Sequence, residues 1–167
     1  KDEDIFKKIM QKCYLIISLI QDSSIVMSQT EKNNILENYF KLIGSNNNNK
    51  NRFNFITANP VTLHLKNIEK SNRHSNILNN YAVTLKADGE RRLLYVNKSD
   101  SKIYLIDINF NITNINYEAK GWEGTIIECE FIKESNLLLL YDILFEKGND
   151  IRRTQLKVEQ SKRSSKN

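Results

Sequence analysis

The stretch Tyr81-Ala-Val-Thr-Leu-Lys86-Ala-Asp88-Gly89-Glu-Arg91-Arg92-Leu-Leu-Tyr-Val-Asn97 holds two short runs of β-branched, aromatic and aliphatic residues parted by Asp88-Gly89. Such runs bounded by turn residues read as strands, here Tyr81–Lys86 and Arg92–Asn97. Toward the C-terminus the pattern repeats at Lys102–Asp107, Asn111–Tyr117, Thr125–Ile132 and Leu137–Leu144. Asn97 to Asp100, Asp107 to Asn109, Gly121 and Lys133 to Asn136 punctuate them. Connections this short favour an antiparallel meander over strand–helix–strand units. Ile68 to Asn80 has room for a helix ahead of the first strand.

Toward the N-terminus the periodicity changes. Ile5, Ile9, Ile16 and Ile20 form one helical stripe, joined by Phe6, Met10, Cys13 and Ile17. Ser28 with Glu31 three residues on has the form of a capping box. Ile35, Leu36, Tyr39, Phe40 and Ile43 give a second amphipathic helix, and Gly44 is its expected stop. The expected fold class is α+β: a twisted antiparallel sheet preceded by an N-terminal helical pair. The divisions are a helical pair at 1–44, an Asn-rich linker at 45–52, the sheet domain at 53–153 and a basic tail at 154–167.

The 167 residues suit one domain, and 40% hydrophobic content suffices for a core. Two cysteines make neither a disulfide scaffold nor a zinc site and fit a reducing compartment. No run approaches the roughly 20 apolar residues of a membrane span, and no secretory leader is expected. The chain opens on Lys1 rather than Met, so an excerpt of a longer protein is expected. Asn, Ile and Lys make up 62 of 167 residues. Their codons are AT-rich, which speaks to origin more than to chemistry. The net charge of +5 sits in residues 151–167, with six basic side chains and one Glu; the other 150 residues balance to zero. That basic end is able to meet nucleic-acid phosphates, or to be a solvated terminus.

The chemistry centres on Lys86-Ala-Asp88-Gly89-Glu-Arg91. A lysine at a strand end is placed to be a nucleophile once it loses its proton, which burial and nearby cations promote. Gly89 permits backbone geometry that a side chain would block. Arg91 is placed to reach a phosphate or ribose. Lys-x-Asp-Gly is weak alone, since at average residue usage it arises by chance in about one chain in 25 of this length. Asp-Gly is also the standard two-residue hairpin turn. Downstream, Glu128-Cys129-Glu130 alternates, so both acids share one strand face, where like charges repel unless a metal or another cation sits between them. Leu137-Leu-Leu-Leu-Tyr141-Asp142-Ile143-Leu144 then reads as a buried strand interrupted by an acid.

This order resembles the covalent nucleotidyltransferase superfamily of mRNA capping guanylyltransferases and polynucleotide ligases. The Lys86 segment resembles its motif I, the Glu128–Glu130 strand its motif III, and the Tyr141-Asp142 strand its motif IIIa. Asn59-Pro60-Val61-Thr62-Leu63 resembles the entry to the guanylyltransferase domain of large poxvirus-like, giant-virus and linear-plasmid capping enzymes. The resemblance covers residues 53 to 153.

The resemblance implies that Lys86 takes a nucleoside monophosphate as a phosphoramidate. It implies nucleotide-binding positions at Thr84, Leu85, Asp88, Gly89, Arg91, Glu130 and Tyr141. Thr84 and Leu85 would lie beside the base, Arg91 and Glu130 near ribose or phosphate, and Tyr141 against the purine. Glu130 and Asp142 would meet a metal, Mg²⁺ or Mn²⁺. The implied substrates are GTP and the 5′ end of RNA. The implied partners are triphosphatase and methyltransferase domains of the same chain or complex, with no membrane. The implied setting is cytoplasmic: a viral factory, a virion or a cytoplasmic plasmid system. An ATP-dependent RNA or DNA ligase, or a non-catalytic RNA-binding or assembly module, are the alternatives. The chain departs from the family pattern in three ways. Glu-Cys-Glu replaces Asp-Gly-Glu. No motif IV is found, nor the lysine pair of motif V, which Leu156-Lys157-Val158 matches poorly. The C-terminal oligonucleotide-binding fold is missing. The resemblance is therefore to the first part of such a domain, leaving open whether this chain is active alone.

Overall fold

The structure is a computed structural model and describes residues 2–21, 23, 25–45, 55–58, 60–69, 76–78 and 85–154. Helix α1 spans Asp2–Ile20 and α2 spans Gln29–Leu42. A single 3-10 turn occupies Leu65–Asn67. Six strands follow: β1 Glu90–Val96, β2 Lys102–Ile106, β3 Ile112–Glu118, β4 Ile126–Ile132, β5 Leu137–Glu146 and β6 Asn149–Asp150. They form one antiparallel sheet in the order β3-β2-β1-β4-β5-β6. The α+β arrangement expected from the sequence is present.

Helix α2 begins and ends on its expected residues. The Ser28 hydroxyl accepts the Glu31 amide at 3.1 Å, satisfying one of the first-turn donors. At the other end Gly44 takes φ +70°, and the Ser45 amide returns to the Phe40 carbonyl at 3.0 Å. The face between these caps carries Ile35, Leu36, Tyr39 and Phe40, all buried. They pack on Leu93 and Tyr95 of β1, Tyr104 and Ile106 of β2, and Ile126 of β4. Fully burying a Leu, Ile or Phe contributes about 1.5–3 kcal/mol, and this helix–sheet contact holds the larger of the two buried clusters. Strand alternation turns Leu94, Val96, Leu105 and Cys129 to the opposite face, where they form a smaller cluster. The Asn38 side chain donates to buried Asn97 at 3.1 Å, pinning α2 to the β1–β2 turn.

Several expectations are corrected. Helix α1 forms, but no residue of it is buried; its apolar stripe, Ile5, Ile9, Ile16 and Ile20, is exposed. Of the helical pair only α2 packs on the sheet. The described part of Ile68–Asn80 holds turns rather than a helix. In the expected strand Tyr81–Lys86, residues 81–84 lie outside the described residues, and Leu85 and Lys86 are in no strand. Asp88-Gly89 is therefore not a hairpin turn between two described strands; Gly89 leads directly into β1. The expected strand from Arg92 begins two residues earlier, at Glu90, and β5 runs two residues further, to Glu146. Short β6 was not anticipated. Most of the linker (residues 46–52) and of the basic tail (155–167) lies outside the described residues.

Candidate functional site

The site lies at the end of the sheet where β1 begins. β1 and β4 run antiparallel with Arg91 opposite Glu130 and Leu93 opposite Glu128. Leu93 faces α2, so Glu128 and Glu130 share the α2 side of the sheet, as their alternation predicts. A cation does meet one of the two acids: Arg91 pairs with Glu128. Its Nε and Nη2 both engage the Glu128 carboxylate. Nη2 also donates to the Ala58 carbonyl at 2.6 Å. The Glu128 side chain is 2% exposed and that of Arg91 33%. A carboxylate this far from water needs a partner, and a two-donor guanidinium supplies one.

Gly89 explains how the preceding segment reaches β4. A Cβ at that position would stand 2.6 Å from the Phe131 carbonyl oxygen and 3.0 Å from Glu130 Cγ. Only a residue without a side chain lets the backbone come this close. The glycine expectation therefore holds, with close approach as its reason.

A β-bulge shapes the third side. Cys129 pairs with Leu140 and Glu128 with Asp142, so Tyr141 and Asp142 together oppose Glu128. The Tyr141 hydroxyl is near both the Glu128 carboxylate and the Arg91 guanidinium, while its ring stays about half exposed. Burial, with the Glu128 carboxylate beside it, pushes the phenol up to about 12, so it is a neutral donor at physiological pH. Asp142 is exposed.

Cys129, between the two acids, points the other way. It is buried in the opposite cluster, and its thiol contacts the Arg92 carbonyl at 3.4 Å. Burial pushes this thiol up to about 12, so it is inert as a nucleophile near neutral pH. Because Cys129 alternates away from the site, a side chain there leaves the Glu130 face clear.

Lys86 stands in solvent. Its side chain is 87% exposed, and its Nζ lies 3.4 Å from the Ala87 carbonyl and 3.7 Å from Asp88 Oδ1. The burial expected around it is not found. Leu85 and Asp88 are exposed as well. Thr84 and Asn59 lie outside the described residues, and Pro60 to His64 form an exposed segment without regular structure. The structure thus brings together Gly89, Arg91, Glu130 and Tyr141, with Asp142 beside them on the bulge. It leaves Lys86 and its neighbours at the open edge of that group.

Sequence reasoning gave no role to Glu128 beyond membership of a charge pair, and none to Ala58. The signal for Glu128 was present: an arginine two residues into one strand and an acid on another, with one apolar face between. Nothing in the sequence marks a backbone carbonyl such as that of Ala58.

A divalent cation is the remaining question of composition. Arg91 occupies Glu128, leaving Glu130 and Asp142 as free carboxylates on this surface. Among the described residues no group of three or more His, Cys, Asp or Glu side chains forms a self-contained metal site. Carboxylate oxygens are donors of the kind that hard divalent cations take.

Among the described residues no helix is long and apolar enough to cross a membrane. Residues 12–162 match the family described as mRNA capping enzyme, catalytic domain. The chain is also similar to the probable mRNA-capping enzyme of Acanthamoeba polyphaga mimivirus, with 33% identity over 142 residues. That match takes in 82% of this chain and 11% of the relative, so the chain spans about a tenth of the relative's length.

Proposed function

Because the chain belongs to the mRNA capping enzyme catalytic-domain family, we propose that it carries the nucleotide-binding part of an mRNA guanylyltransferase that forms a lysyl–GMP intermediate. In the first step the neutral amine of Lys86 attacks the α-phosphorus of GTP in line. A P–N bond forms, the bond to the bridging oxygen breaks, pyrophosphate leaves and the amine proton passes to solvent. In the second step an oxygen of the RNA 5′-diphosphate attacks the same phosphorus. The P–N bond breaks, GMP is transferred to make the cap, and the amine regains a proton.

The other residues bind and orient. Arg91 holds ribose or phosphate, Glu130 lies near the ribose, and Tyr141 offers its half-exposed ring to the purine. Glu130 and Asp142 are the residues that would hold Mg²⁺ or Mn²⁺, which when bound offsets phosphate charge. Lys86 is open to solvent as described, so its deprotonation relies on groups brought by the substrate and by the rest of the protein. Triphosphatase and methyltransferase activities belong, on this reading, to other parts of the same chain or complex, in a cytoplasmic viral or plasmid system.

The observation that carries the reading is the Gly89 contact. It ties the Lys86-Ala-Asp88 segment to the strand bearing Glu128 and Glu130, in the order that the family uses. The test is covalent labelling of the full-length protein with α-labelled GTP and, in parallel, ATP. A GMP adduct lost in Lys86→Ala supports the proposal. An AMP adduct moves it to a ligase, and no adduct from the full-length protein makes it a non-catalytic module.

A further inference from the structure

We propose that Glu128 is a positioning residue for this reaction: one buried carboxylate holds the Arg91 guanidinium and the Tyr141 hydroxyl together, joining the arm that grips ribose or phosphate to the ring that stacks on the base. The inference rests on the guanylyltransferase reading above.

Glu128 has almost no contact with solvent, so it acts on substrate only through its neighbours. Both of its occupants reach the surface: Arg91 is one-third exposed and Tyr141 about half. Arg91 is gripped by two of its nitrogens and further tethered to the Ala58 carbonyl, which leaves its planar fork little freedom to turn. Tyr141 sits at the bulge opposite Glu128, as the extra residue of β5 between the partners of Glu128 and Cys129. A stacking platform alone requires only an aromatic ring. The bulge register sets Tyr141 opposite Glu128, so the hydroxyl is what would join the ring to that carboxylate and, through it, to Arg91.

The experiment measures the initial rate of GMP adduct formation against GTP concentration in the full-length protein. Wild type is compared with Glu128→Gln, Tyr141→Phe and the double variant, each with a melting curve. Glu128→Gln keeps the shape and removes the charge; Tyr141→Phe keeps the ring and removes the hydroxyl. A typical hydrogen bond contributes about 0.5–1.5 kcal/mol net, so half-saturating GTP rises about three- to tenfold in both Glu128→Gln and Tyr141→Phe. The rate at saturating GTP stays within about threefold, and the double variant is no worse than Glu128→Gln alone, because both changes break one junction. Wild-type half-saturation in Tyr141→Phe, or single effects that multiply in the double variant, overturns the proposal. If Glu128→Gln does not melt cooperatively, Tyr141→Phe decides alone. A wild-type protein that forms no adduct overturns the guanylyltransferase reading, and this inference with it. A wild-type adduct with an unaffected Tyr141→Phe overturns the positioning role only.

Discussion

Replacing Gly89 by alanine tests whether close contact with β4 sets the position of the site. The added methyl would stand 2.6 Å from the Phe131 carbonyl oxygen and 3.0 Å from both the Phe131 carbonyl carbon and Glu130 Cγ. The nearest of these is about 1 Å inside the ordinary 3.5–4.0 Å contact distance. Phe131 is held on its other side by pairing with Leu138, so its carbonyl cannot rotate away as a side chain would. Overpacking of this kind costs about 1–3 kcal/mol, and the backbone partner puts it in the upper half. The entropy gained by replacing glycine offsets about 0.4–1 kcal/mol, leaving a loss of about 1–2 kcal/mol. For a domain of 150–250 residues that lowers Tm by about 2–8 °C. Against a stability of about 5–15 kcal/mol the protein remains folded at 25 °C. Adduct formation should nonetheless fall at least about tenfold, since a tenth of the rate corresponds to only about 1.4 kcal/mol of misplacement. Melting curves and α-labelled GTP read the two effects separately. An alanine variant that melts at the wild-type temperature and labels at the wild-type rate refutes the reasoning. Gly44→Ala is the contrast: with nothing within 4 Å and φ +70°, it should lower Tm through backbone strain of about 1–2 kcal/mol and leave labelling unchanged.

Arg91→Met strands the buried Glu128 carboxylate and should destabilise the protein by about 3–5 kcal/mol, while Arg91→Met with Glu128→Met regains most of that in chemical unfolding. Ser28→Ala removes the N-cap of α2 and should cost about 1 kcal/mol in the same assay without altering the half-saturating GTP concentration. In a thiol-labelling time course under native conditions, exposed Cys13 should react quickly and buried Cys129 only after denaturant is added. The Arg152 guanidinium holds Asp150 at about 2, below its usual 3.8. The stabilisation is therefore present above pH 3.8 and fades as pH falls toward 2. Both side chains are 40–45% exposed, so it amounts to less than about 1 kcal/mol. Asp150→Asn should flatten that part of a Tm–pH curve.

The elements that bury one face were legible in the sequence. Helix α2 carries its cap, its stripe and its stop in plain order, and five strands were found by alternation bounded by turn residues. What escaped depends on contacts between distant residues. The bulge at Tyr141 adds one residue to one strand without changing its composition. Glu128 reads as one of two equivalent acids until the register sets Arg91 across from its neighbour. The exposure of α1 escaped because periodicity reports which face is apolar and says nothing of whether anything covers it. The capping resemblance was legible because it rests on the order of short motifs, which survives where packing detail does not.

The segment 55–58 ties two parts of the molecule together. Phe55 is buried among the α2 contacts, the Ile56 amide meets the Tyr39 hydroxyl, and the Ala58 carbonyl holds Arg91. Four residues thus run from the hydrophobic core to the guanidinium at the mouth of the site. A nucleotide that requires Arg91 in place binds only molecules in which this strap is seated, and by mass action it stabilises them. Its arrival should therefore be felt as slower amide hydrogen exchange along the buried face of α2, at the far end of the strap from Arg91.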